Sequence, residues 1–160
     1  MRLGSDVVAA WLILLIAGAI AAPAKMREDD PLKFGTKWSG KLTQKGQIMK
    51  VDVPLEFTAT LTVTKRDGVK FDAELDEKGS VDSGIEVTYL VSGEVTKAED
   101  GKGYTVKFES HTVKKYIFKT FLKIPYTGTL EGKSLKGTWE HPKNEEGTTI
   151  KGEFTLELKE

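Results

Sequence analysis

The chain has 160 residues, in which 24 Lys and Arg balance 24 Asp and Glu, with two His and no Cys. The absence of cysteine excludes disulfides, thiolate metal sites and thiol nucleophiles, and the neutral balance supplies no basic face of the kind nucleic acid requires. A domain of this size without disulfides must be held together by its core.

Residues 1–24 differ from everything after them. Met1-Arg2 precedes an unbroken apolar run from Val7 to Ala22, which ends in the small-residue sites Ala19-Ile20-Ala21 and Ala22-Pro23-Ala24. That is the layout of a cleavable secretory signal. The sixteen residues of the run fall short of the ~20 that cross a bilayer as a helix, which favours cleavage over retention as a membrane anchor. The expectation is an exported protein, periplasmic or extracellular, with no membrane span after cleavage. Residues 25–35 are polar and unpatterned and predict a flexible lead-in to a single β domain over 36–160.

From there the apolar residues recur with period 2. In "LEFTATLTVTK", Leu55, Phe57, Ala59, Leu61 and Val63 take one face and the threonines from Thr58 to Thr64 the other. "VKFDAELDE" repeats the scheme with Val69, Phe71, Ala73 and Leu75. So do Ile85, Val87, Tyr89 and Val91, then Tyr104, Val106 and Phe108, then Ile150, Phe154, Leu156 and Leu158. Turn sequences rich in Gly separate the runs: "KRDGVK", "EDGKG", "LEGKSL" and "HPKNEEGT". Gly accepts the positive φ that tight hairpins need. Strict alternation leaves one wet face, which predicts antiparallel rather than parallel pairing. The prediction is an all-β antiparallel up-and-down meander of about eight to ten strands, curled into a barrel or barrel-like sandwich.

Glycine interrupts the apolar face at Gly40, Gly128, Gly137 and Gly152, each flanked by bulky residues two places away (Trp38 and Leu42, Tyr126 and Leu130, Leu135 and Trp139, Ile150 and Phe154). An inward Gly lets a strand bend and a neighbouring ring lie over its backbone, as a sheet that closes on itself needs. The rival reading is that these glycines leave room for a ligand. In "TVKKYIFKTFLKIPY", 112–126, the alternation fails: Ile117, Phe118, Phe121, Leu122 and Ile124 fall on both faces among lysines. Here the sequence predicts either a strand buried on both sides or a short amphipathic helix ended by Pro125.

Motifs for catalysis are scarce. Asp82-Ser83-Gly84 matches the triplet of aspartic proteases, but that chemistry needs two aspartates across a shared site, and the triplet reads as a turn. His111 and His141 have no neighbour at metal-ligand spacing. Neither a catalytic residue nor a metal or cofactor is expected.

The last third, "YTGTLEGKSLKGTWEHPKNEEGTTIKGEFTLEL", resembles a motif of exported bacterial β domains, Y-x-G-x-L…L-x-G-x-W…G-x-F-x-L-x-L, and "WSGKL" at 38–42 is similar to their first strand. Some of those domains stand alone and some precede serine hydrolase domains as accessory modules. The resemblance implies a non-catalytic secreted β module. Lipocalins also place Gly and Trp near their first strand; here "GTKW" at 35–38 has one residue more than G-x-W.

The function expected is that of a non-enzymatic exported module that acts by binding or as an accessory piece. The alternative is a lipocalin-like carrier of a small apolar ligand. Ligand contacts would fall on Trp38, Gly40, Tyr126, Gly128 and Trp139, and contacts with an envelope protein partner on Lys119, Phe121 and Lys123.

Overall fold

A computed structural model of the chain describes residues 32–48, 51–52, 55–79, 84–116, 123–142 and 150–159. Among these described residues are ten strands: β1 Lys37–Gln44, β2 Gln47–Ile48, β3 Val51–Asp52, β4 Leu55–Asp67, β5 Lys70–Gly79, β6 Glu86–Lys97, β7 Tyr104–Tyr116, β8 Pro125–Glu131, β9 Ser134–Glu140 and β10 Lys151–Lys159. Eight of them close a barrel in the order β1-β10-β9-β8-β7-β6-β5-β4, all antiparallel, while β2 and β3 pair as a small ribbon between β1 and β4. The fold is the all-β up-and-down meander that the alternation predicts. β1 closes the ring by pairing with β4 on one side and β10 on the other, with Gly40 opposite both Ala59 and Leu156. Closure leaves the barrel without an exposed edge.

The period-2 faces become the inside and outside of the ring. Along β4, Phe57, Ala59, Leu61 and Val63 are buried, as are Phe71, Ala73 and Leu75 along β5 and Tyr126 and Leu130 along β8. They form one cluster with Trp38, Val91, Val106, Leu135, Phe154 and Leu156. An eight-stranded barrel has an interior about wide enough for side chains to fill.

The two ends differ. One carries the tight turns after β4, β6 and β8, with Gly68, Gly101, Gly103 and Gly132 at φ of 56°, 74°, 73° and 57°. We call it the turn end. The turn chemistry read from "KRDGVK", "EDGKG" and "LEGKSL" holds there, because the positive φ is a local demand that Gly meets without strain. The other end carries the connections 45–54, 80–85, 117–124 and 141–150, parts of which fall outside the described residues.

Three expectations need revision. Leu32 to Gly35, assigned to the lead-in, forms a turn that belongs to the domain: Leu32 is fully buried, Gly35 N–H donates to Val63 O at 2.8 Å, and Thr36 Oγ1 donates to Lys33 O at 2.8 Å. Val69 is not inward but 45 % exposed, since β5 begins only at Lys70 and Val69 lies in the hairpin turn. The failed alternation around 112–126 has a backbone cause at its start. Residues 112–116 continue β7, so the helix alternative does not hold there. Two register shifts against β6 leave His111 and Lys114 unpaired, as β-bulges do, and each shift moves the next side chain out of phase. Residues 117–122 lie outside the described residues.

Candidate functional site

The inward glycines are sites of contact. A Cβ built on Gly152 would lie 1.7 Å from Thr43 O and 2.7 Å from Trp139 Nε1; on Gly137 it would lie 2.2 Å from Thr127 O and 2.6 Å from Phe154 Cζ; on Gly128, 2.6 Å from Lys136 O and 3.0 Å from Phe154 Cζ. Gly40 would meet Thr155 O at 2.0 Å. The space a side chain would take is occupied by the backbone of the next strand and by two rings. Gly93, a fifth inward glycine in phase with Tyr89 and Val91, behaves alike, 2.3 Å from Lys107 O.

Those rings belong to an aromatic stack. Phe108 lies parallel to Tyr126 (centroids 4.6 Å apart, 4° between planes), and Phe154 meets both edge-on at 6.0 and 6.1 Å. Trp139 approaches Tyr126 at 6.2 Å, and its Nε1–H donates to Thr43 O at 3.1 Å. Such offset and edge-on pairs contribute beyond the area they bury. Tyr126, Gly128 and Trp139 are therefore brought together, on neighbouring strands. Trp38 is fully buried on β1, opposite Leu61 and Leu158, and its Nε1 has no hydrogen-bond partner among the described residues. Lys123 is exposed at φ 59°, just before β8. Lys119 and Phe121 lie outside the described residues, as do Asp82 and Ser83.

A carboxyl group sits inside the barrel. Glu77, on the inward face of β5, is 7 % exposed, and the Tyr126 hydroxyl donates to its Oε1 at 3.1 Å. Burial pushes the Glu77 carboxyl up from 4.5 to about 7, against the opposing pull of the Tyr126 hydrogen bond. Burial first and the Glu77 charge second hold the Tyr126 phenol well above its ordinary range. An apolar wall disfavours both charged forms. The signal for Glu77 was present in the sequence: continuing Phe71, Ala73, Leu75 by one more step of two arrives at it. The same step after Val106 and Phe108 arrives at Ser110, also fully buried, whose Oγ accepts Ile124 N–H at 3.1 Å.

On the outer face, a cavity of about 450 Å³ opens over Gly152 between β8, β9, β10 and β1, lined by Thr43, Lys45, Thr127, Thr138, Lys151 and Glu153 among others. A second, of about 420 Å³, opens over Gly93 and is lined by Lys70, Ser92, Glu94, Lys107 and Glu109 among others. Both carry charged side chains of either sign, with Trp139 lining the first and Phe108 and Tyr126 the second. His111 is exposed and within 3.1 Å of Ser92 Oγ; His141 is buried, its backbone N–H donating to Ile150 O. Among the described residues no three His, Asp or Glu are placed to share a metal ion.

No protein-family model and no curated protein matches the chain. Among solved structures it is similar to a de novo designed fluorescence-activating β-barrel, at 16% identity and a TM-score of 0.44, over 82% of this chain and 98% of that one.

Proposed function

We propose that the protein is an exported, non-enzymatic β-barrel module that acts by binding at its outer surface, in the manner of the accessory domains that its C-terminal motif resembles. The observation that carries this reading is the contact at the inward glycines. Phe154 lies over Gly128 and Gly137, and Trp139 over Gly152, so the places where a carrier would keep space are taken by the protein's own rings. Among the described residues, surface grooves over Gly93 and Gly152 offer concave features, and their linings of Lys, Glu and Thr beside aromatic rings suit a partner of mixed polarity.

A second reading, a carrier of a small molecule, is favoured by Glu77 and Tyr126. A lone polar pair on an apolar wall is how an interior site fixes the orientation of a ligand. Native mass spectrometry of the protein after export, purified without detergent, separates the two. A bare mass is expected. A discrete adduct that survives exchange into clean buffer would overturn the surface reading in favour of the carrier.

A further inference from the structure

At the turn end, two large apolar side chains among the described residues face solvent, Phe34 at 72 % and Val69 at 45 % exposure. They stand on adjoining segments. The turn holding Phe34 is tied to β4 through Gly35 N–H to Val63 O and Val63 N–H to Thr36 O, and β4 runs on into the hairpin tip that holds Val69. Around them lie Lys33, Lys37, Lys65, Arg66, Lys70 and, across from Lys37, Lys159. The acids in the same region are Asp67 and Glu94, both opposite Lys70, and Asp72, opposite Lys65; the six cations still outnumber them. On the other two tips of this end, Lys97 and Lys102 balance Glu99 and Asp100, and Lys133 balances Glu131. Positive charge is thus concentrated where the apolar side chains emerge.

Exposed apolar residues ringed by Lys and Arg have the composition of a membrane-interface contact, in which aromatic and aliphatic side chains enter the headgroup layer and cations attract acidic lipid. We propose that the turn end docks on an anionic membrane surface, Phe34 and Val69 entering the headgroup region and the surrounding cations holding the acidic headgroups. The opposite end, with its longer connections, would then face away from the membrane. This inference stands whether or not the interior takes a ligand.

The chain has no cysteine, so a single spin label can be placed by substitution. Val69→Cys puts it at the turn end, and Pro142→Cys, exposed beyond β9, puts a control at the other. Each variant, purified after export, is mixed with phosphatidylcholine vesicles with or without phosphatidylglycerol. With phosphatidylglycerol present, the label at 69 should lose access to an aqueous relaxation agent by about tenfold, while the label at 142 keeps it. Added salt, which screens exposed charges, should restore access at 69, and so should Lys65→Glu with Lys70→Glu in a variant whose thermal melt matches the parent. A label at 69 that stays in water on anionic vesicles would overturn the proposal. So would equal protection on neutral vesicles, or protection that appears without lipid as protein concentration rises, which would assign the patch to a second copy of the chain.

Discussion

The Tyr126 hydroxyl donates to the Glu77 carboxylate at 3.1 Å, joining β8 to β5 across the inside of the barrel although β6 and β7 lie between them in the sheet. No ladder hydrogen bond connects those two strands. The contact exists only because the sheet curls until its inward faces meet, and it places an acid where an apolar side chain would cost less.

That acid makes stability depend on pH in a defined window. Its pKa is raised on folding, from 4.5 to about 7, so the folded state keeps a proton that the unfolded chain has lost. Below 4.5 both states are protonated and Glu77 contributes no pH dependence. Between those values stability falls as pH rises, by about 1.4 kcal/mol per pH unit and about 3 kcal/mol in all, and levels off above. Glu77→Gln should remove this component. Urea unfolding of both proteins at about pH 5 and pH 8 measures the difference, which should favour the variant at the higher pH.

Replacing Tyr126 by Phe keeps the ring stacked on Phe108 but withdraws the hydroxyl from Glu77. Since that hydrogen bond lowers the carboxyl pKa, the Glu77 titration should move further upward in Tyr126→Phe, as followed by carbon NMR of the labelled carboxyl. At neutral pH the variant should lose about 1–2 kcal/mol through the acceptor left without its donor.

The glycines divide into two kinds with different sensitivities. Gly68 adopts φ 56° with nothing near its Cβ direction, so Gly68→Ala should cost only about 1 kcal/mol of backbone strain. For Gly137, a new Cβ would lie 2.2 Å from Thr127 O and 2.6 Å from the Phe154 ring. Neither backbone nor packed ring can give way cheaply, and Gly137→Ala should cost about 3 kcal/mol. Comparison of the two thermal midpoints tests whether space over the inward glycines is filled. Equal, small losses would show it empty.

Ser110 holds the chain at the approach to β8. Its Oγ accepts Ile124 N–H, its carbonyl accepts Lys123 N–H at 2.7 Å, and its N–H donates to Ile124 O at 3.2 Å. Lys123 sits at φ 59° within this arrangement. Ser110→Ala should cost about 1–2 kcal/mol by leaving a buried N–H without a partner, and amide exchange at Ile124 should quicken more than exchange in β4.

Much of the barrel is written locally. Alternation along "LEFTATLTV" names Phe57, Ala59, Leu61 and Val63 as inward before any partner strand is known, because successive side chains of a strand point to opposite faces. The Gly at each tight turn follows from φ alone. Alternation misleads where the backbone departs from regular pairing, at the bulges beside His111 and Lys114 and at Val69, which keeps the phase of a strand that begins only at Lys70. Polarity in turn conceals what alternation would reveal: Glu77, Ser110 and Gln44 keep the inward phase and are buried, though their chemistry assigns them to water.

The sequence by itself determined an all-β chain, the inward set and the turn positions, since each depends on residues within a few places of one another. Tertiary structure decided which strands meet to close the ring, that Phe154 and Trp139 cover the glycines, and that Glu77 faces Tyr126. Those outcomes depend on the curvature of the whole sheet and on packing between residues far apart in the chain. It also brought Phe34 beside the Val69 hairpin, because Gly35 and Thr36 pair with Val63 across a separation along the chain that no local pattern spans.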